Sequence, residues 1–289
     1  MPPMANVHYA RIGDVWKHLP LAEVLQIERP LRYWETHSGS SSYPLSHSPE
    51  RDYGAFAFLE RAGRSPGLKE SAYRRLVARY CSGKAPTYPG SPLIAMELLG
   101  STGGHFVFCD LDTESLSNIA QDARALGVSP GCVRLVEGDG VSTLAGELVS
   151  LTEDKAAGTF LHVDPYHLLE PNSDGETPLG LFARAAKRGV RCLMWYGFDA
   201  RDARDVVLDA LRESITGGAW YGEVSLRAQD LSEVGFDPGV LGCGIVVSNV
   251  GQEALAACGR LGEELAHAYA GVRLPNGRDG SLGFEEGSF

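Results

Sequence analysis

No stretch of this 289-residue chain approaches the roughly 18 consecutive apolar residues that a membrane-spanning helix needs; one of the longest apolar runs, around residues 244–247, is short. The opening Met1-Pro2-Pro3-Met4-Ala5-Asn6 shows no basic region followed by an apolar stretch, so no secretory signal is expected and a cytoplasmic location is. None of the six cysteines (Cys81, Cys109, Cys132, Cys192, Cys243, Cys258) stands in a C-x-x-C pair, which argues against a zinc knuckle or a dithiol motif and for reduced thiols. The eight histidines show neither H-x-x-x-H nor H-E-x-x-H spacing, so no metal is expected. Basic charge is also short: 26 Lys+Arg stand against 37 Asp+Glu, a net −11 that supplies no global footprint for nucleic acid. Neither G-x-G-x-x-G nor G-x-x-x-x-G-K-[ST] occurs, which counts against dinucleotide and P-loop sites.

What is present is ordinary globular material, 44% hydrophobic and 22% charged, long enough for one large domain or two modest ones. Strand-like runs fall at 31–36, 105–109, 132–136, 159–163, 191–196, 221–226 and 244–248. Helical patterns fall at 113–126, 142–151, 178–188, 203–214 and 253–270. Such alternation indicates βαβ units and a mostly parallel, doubly wound α/β sheet, with an antiparallel hairpin at one edge where the last two strands lack a long helix between them. Residues 1–30 read as an N-terminal helical segment whose helix begins near Asp14. Residues 31–271 read as the sheet domain, with an Arg- and aromatic-rich helical insertion at about 50–85. The Gly-rich, polar residues 272–289 read as a flexible tail.

In an open α/β sheet, ligands gather at the carboxyl ends of the strands. After the first strand comes Glu35-Thr36-His37-Ser38-Gly39-Ser40, where Gly39 lets backbone approach a ligand closely. The second strand is followed by Asp110-Leu111-Asp112, an acidic site suited to ribose hydroxyls. The third is followed by Glu137-Gly138-Asp139-Gly140, with a carboxylate able to accept from an exocyclic amino group. Asp164-Pro165-Tyr166-His167 follows the fourth. Each is an ordinary turn taken singly; together they match a nucleoside-type cofactor lying across the sheet.

The segment from His8 to His18 (HYARIGDVWKH), Glu35-Thr36-His37-Ser38-Gly39 and Tyr88-Pro89-Gly90-Ser91-Pro92-Leu93-Ile94 follow one another here. Asp139-Gly140, Asp164-Pro165-Tyr166, Trp195-Tyr196 and residues 242–249 come next in order. This series resembles the bacterial large-subunit rRNA adenine-N6 methyltransferases of the J type, from about His8 to Asn249. The resemblance implies a class I S-adenosylmethionine (AdoMet)-dependent methyltransferase fold, Rossmann-like, with a small helical insertion subdomain and AdoMet as cofactor. It also implies that His18, His37 and Ser91 hold the methionine end, that Lys17 lies near the cofactor, and that Asp110 takes the ribose position, although the local pattern there differs. Asp139 falls at the adenine contact and Asp164 at the catalytic acid, which also borders the cofactor.

Departures fall on the substrate side. The family's Asp-Pro-Pro-Tyr is here Asp164-Pro165-Tyr166-His167, one proline short, which displaces the aromatic ring that stacks on a flipped base. Ser248-Asn249-Val250-Gly251 replaces Asn-Pro-Pro-Trp, and Arg11 stands where the family signature has Asn. With the acidic charge, these changes favour a small-molecule partner and disfavour nucleic acid. The first expectation is methyl transfer to a small metabolite or nucleobase-like acceptor, with Asp164 and Tyr166 catalytic. His8, Tyr9, Tyr43, His167 and Tyr196 are the expected substrate-side residues. A second reading is attack on the aminobutyryl carbon of AdoMet, releasing methylthioadenosine and giving a cyclic amino acid or a transferred chain, as in secondary metabolism. Tyr9, Trp34, Tyr43, Trp195 and Tyr196 would then cap the sulfonium by cation–π attraction. The family's own activity on rRNA would need the basic residues of the insertion, Arg61, Arg64, Lys69, Arg74, Arg75, Arg79 and Lys84, as a surface. A non-catalytic AdoMet-binding module is the fourth reading. His162, inside a strand, reads as packed.

Overall fold

A computed structural model describes residues 8–215, 217–228, 230–234, 237–274 and 276–289, so the first seven residues of the expected 1–30 segment lie outside the described residues. Helix α1 (Ile12–Glu28) is buried on nearly every side, including Val15, Trp16, His18, Leu19, Val24 and Leu25. A helix apolar all round must be enclosed, and α1 is: it packs against the sheet, the insertion and the C-terminal helix. Asp14 lies in the first turn and accepts a hydrogen bond from the Arg11 backbone N–H at 3.2 Å. Arg11 rather than Asp14 is therefore the capping residue.

The sheet strands are β1 (Arg32–Glu35), β2 (His105–Asp110), β3 (Val133–Glu137), β4 (Thr159–Val163), β5 (Arg191–Phe198), β6 (Trp220–Leu226), β7 (Gly242–Ser248) and β8 (Leu282–Ser288). The intervening helices are α2 (Ser91–Leu99), α3 (Thr113–Ala125), α4 (Gly140–Ser150), α5 (Pro178–Lys187), α6 (Arg201–Ser214) and α7 (Gln252–Ala268). Their spatial order is β3-β2-β1-β4-β5-β7-β6-β8. β1 to β5 are parallel, β7 is antiparallel to both β5 and β6, and β8 is antiparallel to β6. This is a largely parallel, Rossmann-like α/β sheet with antiparallel strands at one side.

Side chains alternate between the two faces of each strand, and the core divides accordingly. Tyr33, Phe106, Phe108, Phe160 and Leu193 pack under α1, α2, α3 and α7. Trp34, Cys109, Leu161, Met194, Tyr196 and Phe198 pack under α4, α5 and α6. On β7, Gly244 and Gly242 lie opposite Tyr196 and Phe198, and a side chain at either glycine would run into those rings. The Gly-x-Gly of this strand is the space the two aromatics occupy.

Two features depart from expectation. Residues 282–288 are not a flexible tail: β8 pairs along β6 from Leu282 opposite Leu226 to Ser288 opposite Trp220. The β6–β7 pair therefore does not form the sheet edge; β8 does. Secondly, the insertion is bracketed by an antiparallel ribbon, Ser42–Pro44 with Thr87–Pro89. Between these lie short helical pieces ending in Ala72–Tyr80. They are tied to α7, where Ser65 Oγ (2.5 Å) and the Leu68 N–H (3.0 Å) both donate to Glu264 Oε2. Among the described residues no helix is long and apolar enough to cross a membrane.

Candidate functional site

A cavity of about 570 Å³ opens where β1, β2 and β4 end, walled by the first turns of α1 and α2 and by residues 237–240. Its size lies within the range of small-molecule sites. Eleven sequence-predicted residues line it: His8, Tyr9, Lys17, His18, His37, Gly39, Tyr43, Ser91, Asp110, Asp164 and Tyr166. Arg11, Asp14, Trp195, Asp199 and Asp237 join them.

Lys17 is the centre of the polar wall. Its Nζ donates to Asp164 Oδ2 at 2.6 Å, reaches Asp14 Oδ1 at 3.2 Å and stands 5.8 Å from the Trp195 ring centroid. Burial alone would lower the lysine's pKa, but the charges of Asp164 and Asp14 outweigh it and raise the pKa well above the usual lysine range. Burial would likewise raise that of Asp164, and the adjoining Lys17 charge, with His162 and His37 beyond it, overcomes this and holds the carboxyl below its usual range. Asp14 goes the other way: its burial and the neighbouring Asp164 exceed the help from Lys17, and its pKa is raised.

The turn after β1 is held by β2. Asp110 accepts from the Gly39 N–H at 2.7 Å and from the Asp112 N–H at 2.9 Å, while Ser38 Oγ donates to the Cys109 carbonyl at 3.0 Å. Gly39 takes φ 58°, a left-handed conformation that glycine adopts without a Cβ penalty. His37 Nδ1 lies 2.7 Å from Thr36 Oγ1; burial lowers the imidazole pKa despite the carboxylates around it. His18 is buried, with Nδ1 2.9 Å from the Tyr88 hydroxyl, which in turn lies 2.8 Å from that of Tyr73. Burial, then the Lys17 charge, puts its pKa well below the usual histidine value. At the rim Tyr9 stacks on Tyr43 with centroids 4.7 Å apart, and Tyr166 is 86% exposed.

Behind the cavity lies a network that sequence reasoning missed. Glu35 and His162 are opposite one another in the parallel register of β1 and β4 and are fully buried. Glu35 Oε1 accepts from Ser91 Oγ (2.5 Å) and lies 2.7 Å from His162 Nδ1, which is 2.9 Å from the Tyr33 hydroxyl. Burial raises the pKa of Glu35. A clue is in the pattern: Glu35 ends β1, and His162 is the next-to-last residue of β4, its parallel neighbour.

Four expected residues are not brought to the cavity. Tyr196 is 1% exposed on the face under α4–α6 and donates to Glu223 Oε1 at 2.7 Å; strand alternation turns Trp195, not Tyr196, toward the cavity. His167 is exposed and sits edge-on to Tyr166. Asp139 caps α4, accepting from the Val141 and Ser142 N–H groups at 2.7 and 3.1 Å, and its other oxygen accepts from Asn172 Nδ2 at 2.8 Å. Trp34, one of the aromatics expected to cap the sulfonium, faces α4 near the opposite end of the strands.

No family model matches the sequence, and no curated protein does. The fold is shared with LPL1258 of Legionella pneumophila strain Philadelphia 1, described as family-model DUF519. The two are 20% identical over 97% of this chain and 98% of that one, with a TM-score of 0.73. Weaker likenesses are to a SAM-dependent methyltransferase of Agrobacterium tumefaciens (14% identity, 81% and 60% of the chains, TM-score 0.40) and to an O-methyltransferase of Bacillus cereus in complex with SAH (11%, 81% and 80%, 0.39). At these identities the likeness establishes the fold, and the weaker two carry no argument.

Proposed function

We propose that the protein is an AdoMet-dependent transferase that methylates a small metabolite or nucleobase-like acceptor in the cavity at the ends of β1, β2 and β4. The observation that carries this reading is convergence: Lys17, His37 with Gly39, Ser91, Asp110 and Asp164 come from five separate segments and meet on one cavity. The donor set fits the cofactor. Asp14, Asp110, Asp164, Asp199 and Asp237 outnumber Lys17 and Arg11, so the walls favour a ligand carrying a sulfonium and an ammonium group.

Ser91 and the first turn of α2 would hold the methionine carboxylate, since a helix start offers free N–H groups and a favourable dipole. Lys17 would steer that carboxylate, and His18 and His37 would flank the methionine chain. Asp110 would accept from the ribose. Bound AdoMet supplies an electrophilic methyl on sulfur. An ionised Asp164 with a lowered pKa is a weak base, so its part is to accept a hydrogen bond from the acceptor and aim it. Tyr166 at the mouth, with His8, Tyr9 and Tyr43 on the wall, would border the acceptor.

A small acceptor is further supported by the insertion's cations, several of which are engaged internally. Arg61 donates to the Ala268 and Ala270 carbonyls, Arg64 pairs with Glu60, and Arg79 with Glu97. The test is incubation of purified protein with AdoMet, with and without candidate acceptors, and identification of the sulfur product by mass spectrometry. S-adenosylhomocysteine appearing only with an acceptor is the expected result. Methylthioadenosine from AdoMet alone would move the reaction to the aminobutyryl carbon, and AdoMet bound without turnover would leave a binding module.

A further inference from the structure

We infer that the protein carries a second binding site, at the opposite end of the sheet, for a phosphate monoester of about mononucleotide size. Arg32 and His105 are the first residues of β1 and β2 and lie opposite one another in register, as do Trp34 and Val107; Arg134 of β3 is opposite Val107. Parallel neighbours in register share a face, so these five side chains emerge together on the side covered by α4. That helix ends at Ser150, and Glu147, Ser150, Leu151 and Lys155 close a cavity of about 310 Å³ over them.

The charge of this cavity is opposite to that of the whole chain. Arg32, Arg134, Lys155 and His105 line it with one carboxylate, Glu147, in a protein of net −11. Glu147 is already taken by Arg134 at 2.8 Å. Arg32 and Lys155 have no ion-pair partner among the described residues. Strand positions facing a covering helix ordinarily carry apolar side chains; here three of them carry cationic or imidazole groups. The floor beneath is apolar: Trp34 is 6% exposed, and Val107 and Leu151 lie beside it. Guanidinium forks match phosphate oxygens, and a phosphate monoester brings nearly two negative charges. An inorganic anion would leave the apolar floor unused, whereas a planar body attached to the phosphate would cover it. The volume is at the lower end of the small-molecule range, which suits a mononucleotide and excludes a dinucleotide.

The experiment is calorimetric titration of the full chain with uridine 5′-monophosphate, a probe without adenine or sulfonium, alongside uridine, inorganic phosphate and a short RNA oligonucleotide. The expected result is saturable binding of the monophosphate, weakened about tenfold or more for uridine and for phosphate alone. A comparable loss is expected in the double variant Arg32→Glu, Lys155→Glu. Ser150→Trp, on an exposed position at the cavity mouth, should block binding as well and guards against misfolding of the charge-reversed chain. Asp164→Asn, at the other end of the sheet, should leave it unchanged, which separates this site from the cofactor reading. No saturable binding, equal affinity for uridine, binding that survives both variants, or RNA binding without monophosphate binding would each overturn the inference.

Discussion

Asp164 and Lys17 face each other at 2.6 Å with side chains only 15% and 12% exposed, so neither charge can be removed without leaving the other poorly compensated. Asp164→Asn keeps the shape and deletes the charge, leaving Lys17 to Asp14. If Asp164 aims the acceptor, kcat falls about 100-fold or more while AdoMet affinity changes far less. Single-turnover rates and direct AdoMet binding separate the two; an equal loss in both would place Asp164 on the cofactor, and an unchanged rate would remove it from the reaction. His18 makes a second, pH-dependent prediction. Its folded pKa is depressed by burial and by Lys17, so below about pH 6.5 the unfolded chain takes up a proton that the folded protein refuses. Stability therefore declines as pH falls from 6.5, and His37 acts in the same direction. In His18→Gln the decline between pH 6.5 and 5.5 should be shallower than in the wild-type chain, measured by denaturant unfolding at each pH. The raised carboxyls of Glu35 and Asp14 act oppositely, but they are common to both proteins and cancel in the comparison.

At the scale of elements, the strand whose bounds are most directly legible is one buried on both faces. β4 is buried at all five positions and its bounds follow directly from TFLHV. β8 escaped because LGFEEGS reads as a polar Gly-rich tail; its strand character comes from pairing with β6, a long-range fact that local pattern does not hold. Phe284 is the residue that anchors it, edge-on to Trp16 of α1 at 5.5 Å, while Glu285 reaches outward to Arg204 at 2.5 Å. Phe284→Ala should cost about 2 kcal/mol, below the value for a fully buried ring because the side chain is half-buried, and lower the melting temperature by several degrees. Glu285→Ala, at an exposed ion pair, should cost under about 1 kcal/mol. Thermal unfolding of the two variants tests whether packing or charge fastens the strand. Site residues divide similarly: those in turns after strands were found by position, whereas Tyr196 was misplaced because its face is decided by alternation along β5. Glu35 and His162 were missed because their meeting depends on register between β1 and β4.

For the molecule as a whole, a net charge of −11 constrains partners only after its distribution is known. The carboxylates of the large cavity and the cations at the far end of the sheet are separated along the strands, so one molecule presents an acidic working face and a small basic pocket. Binding to rRNA requires neutralising several phosphates at once, and each such contact steepens the fall of affinity with salt. Arg32, Arg134 and Lys155 gather in one 310 Å³ pocket rather than along a track, and Arg61, Arg64 and Arg79 are engaged elsewhere. A structured rRNA fragment should therefore show no saturable binding at about 150 mM salt, near physiological ionic strength, in a fluorescence-polarisation titration. Any weak association at lower salt should have a shallow dependence of log K on log salt. A steep dependence, equivalent to several released counterions, would mean that the acidic total conceals a nucleic-acid surface, and the small acceptor would have to give way to RNA.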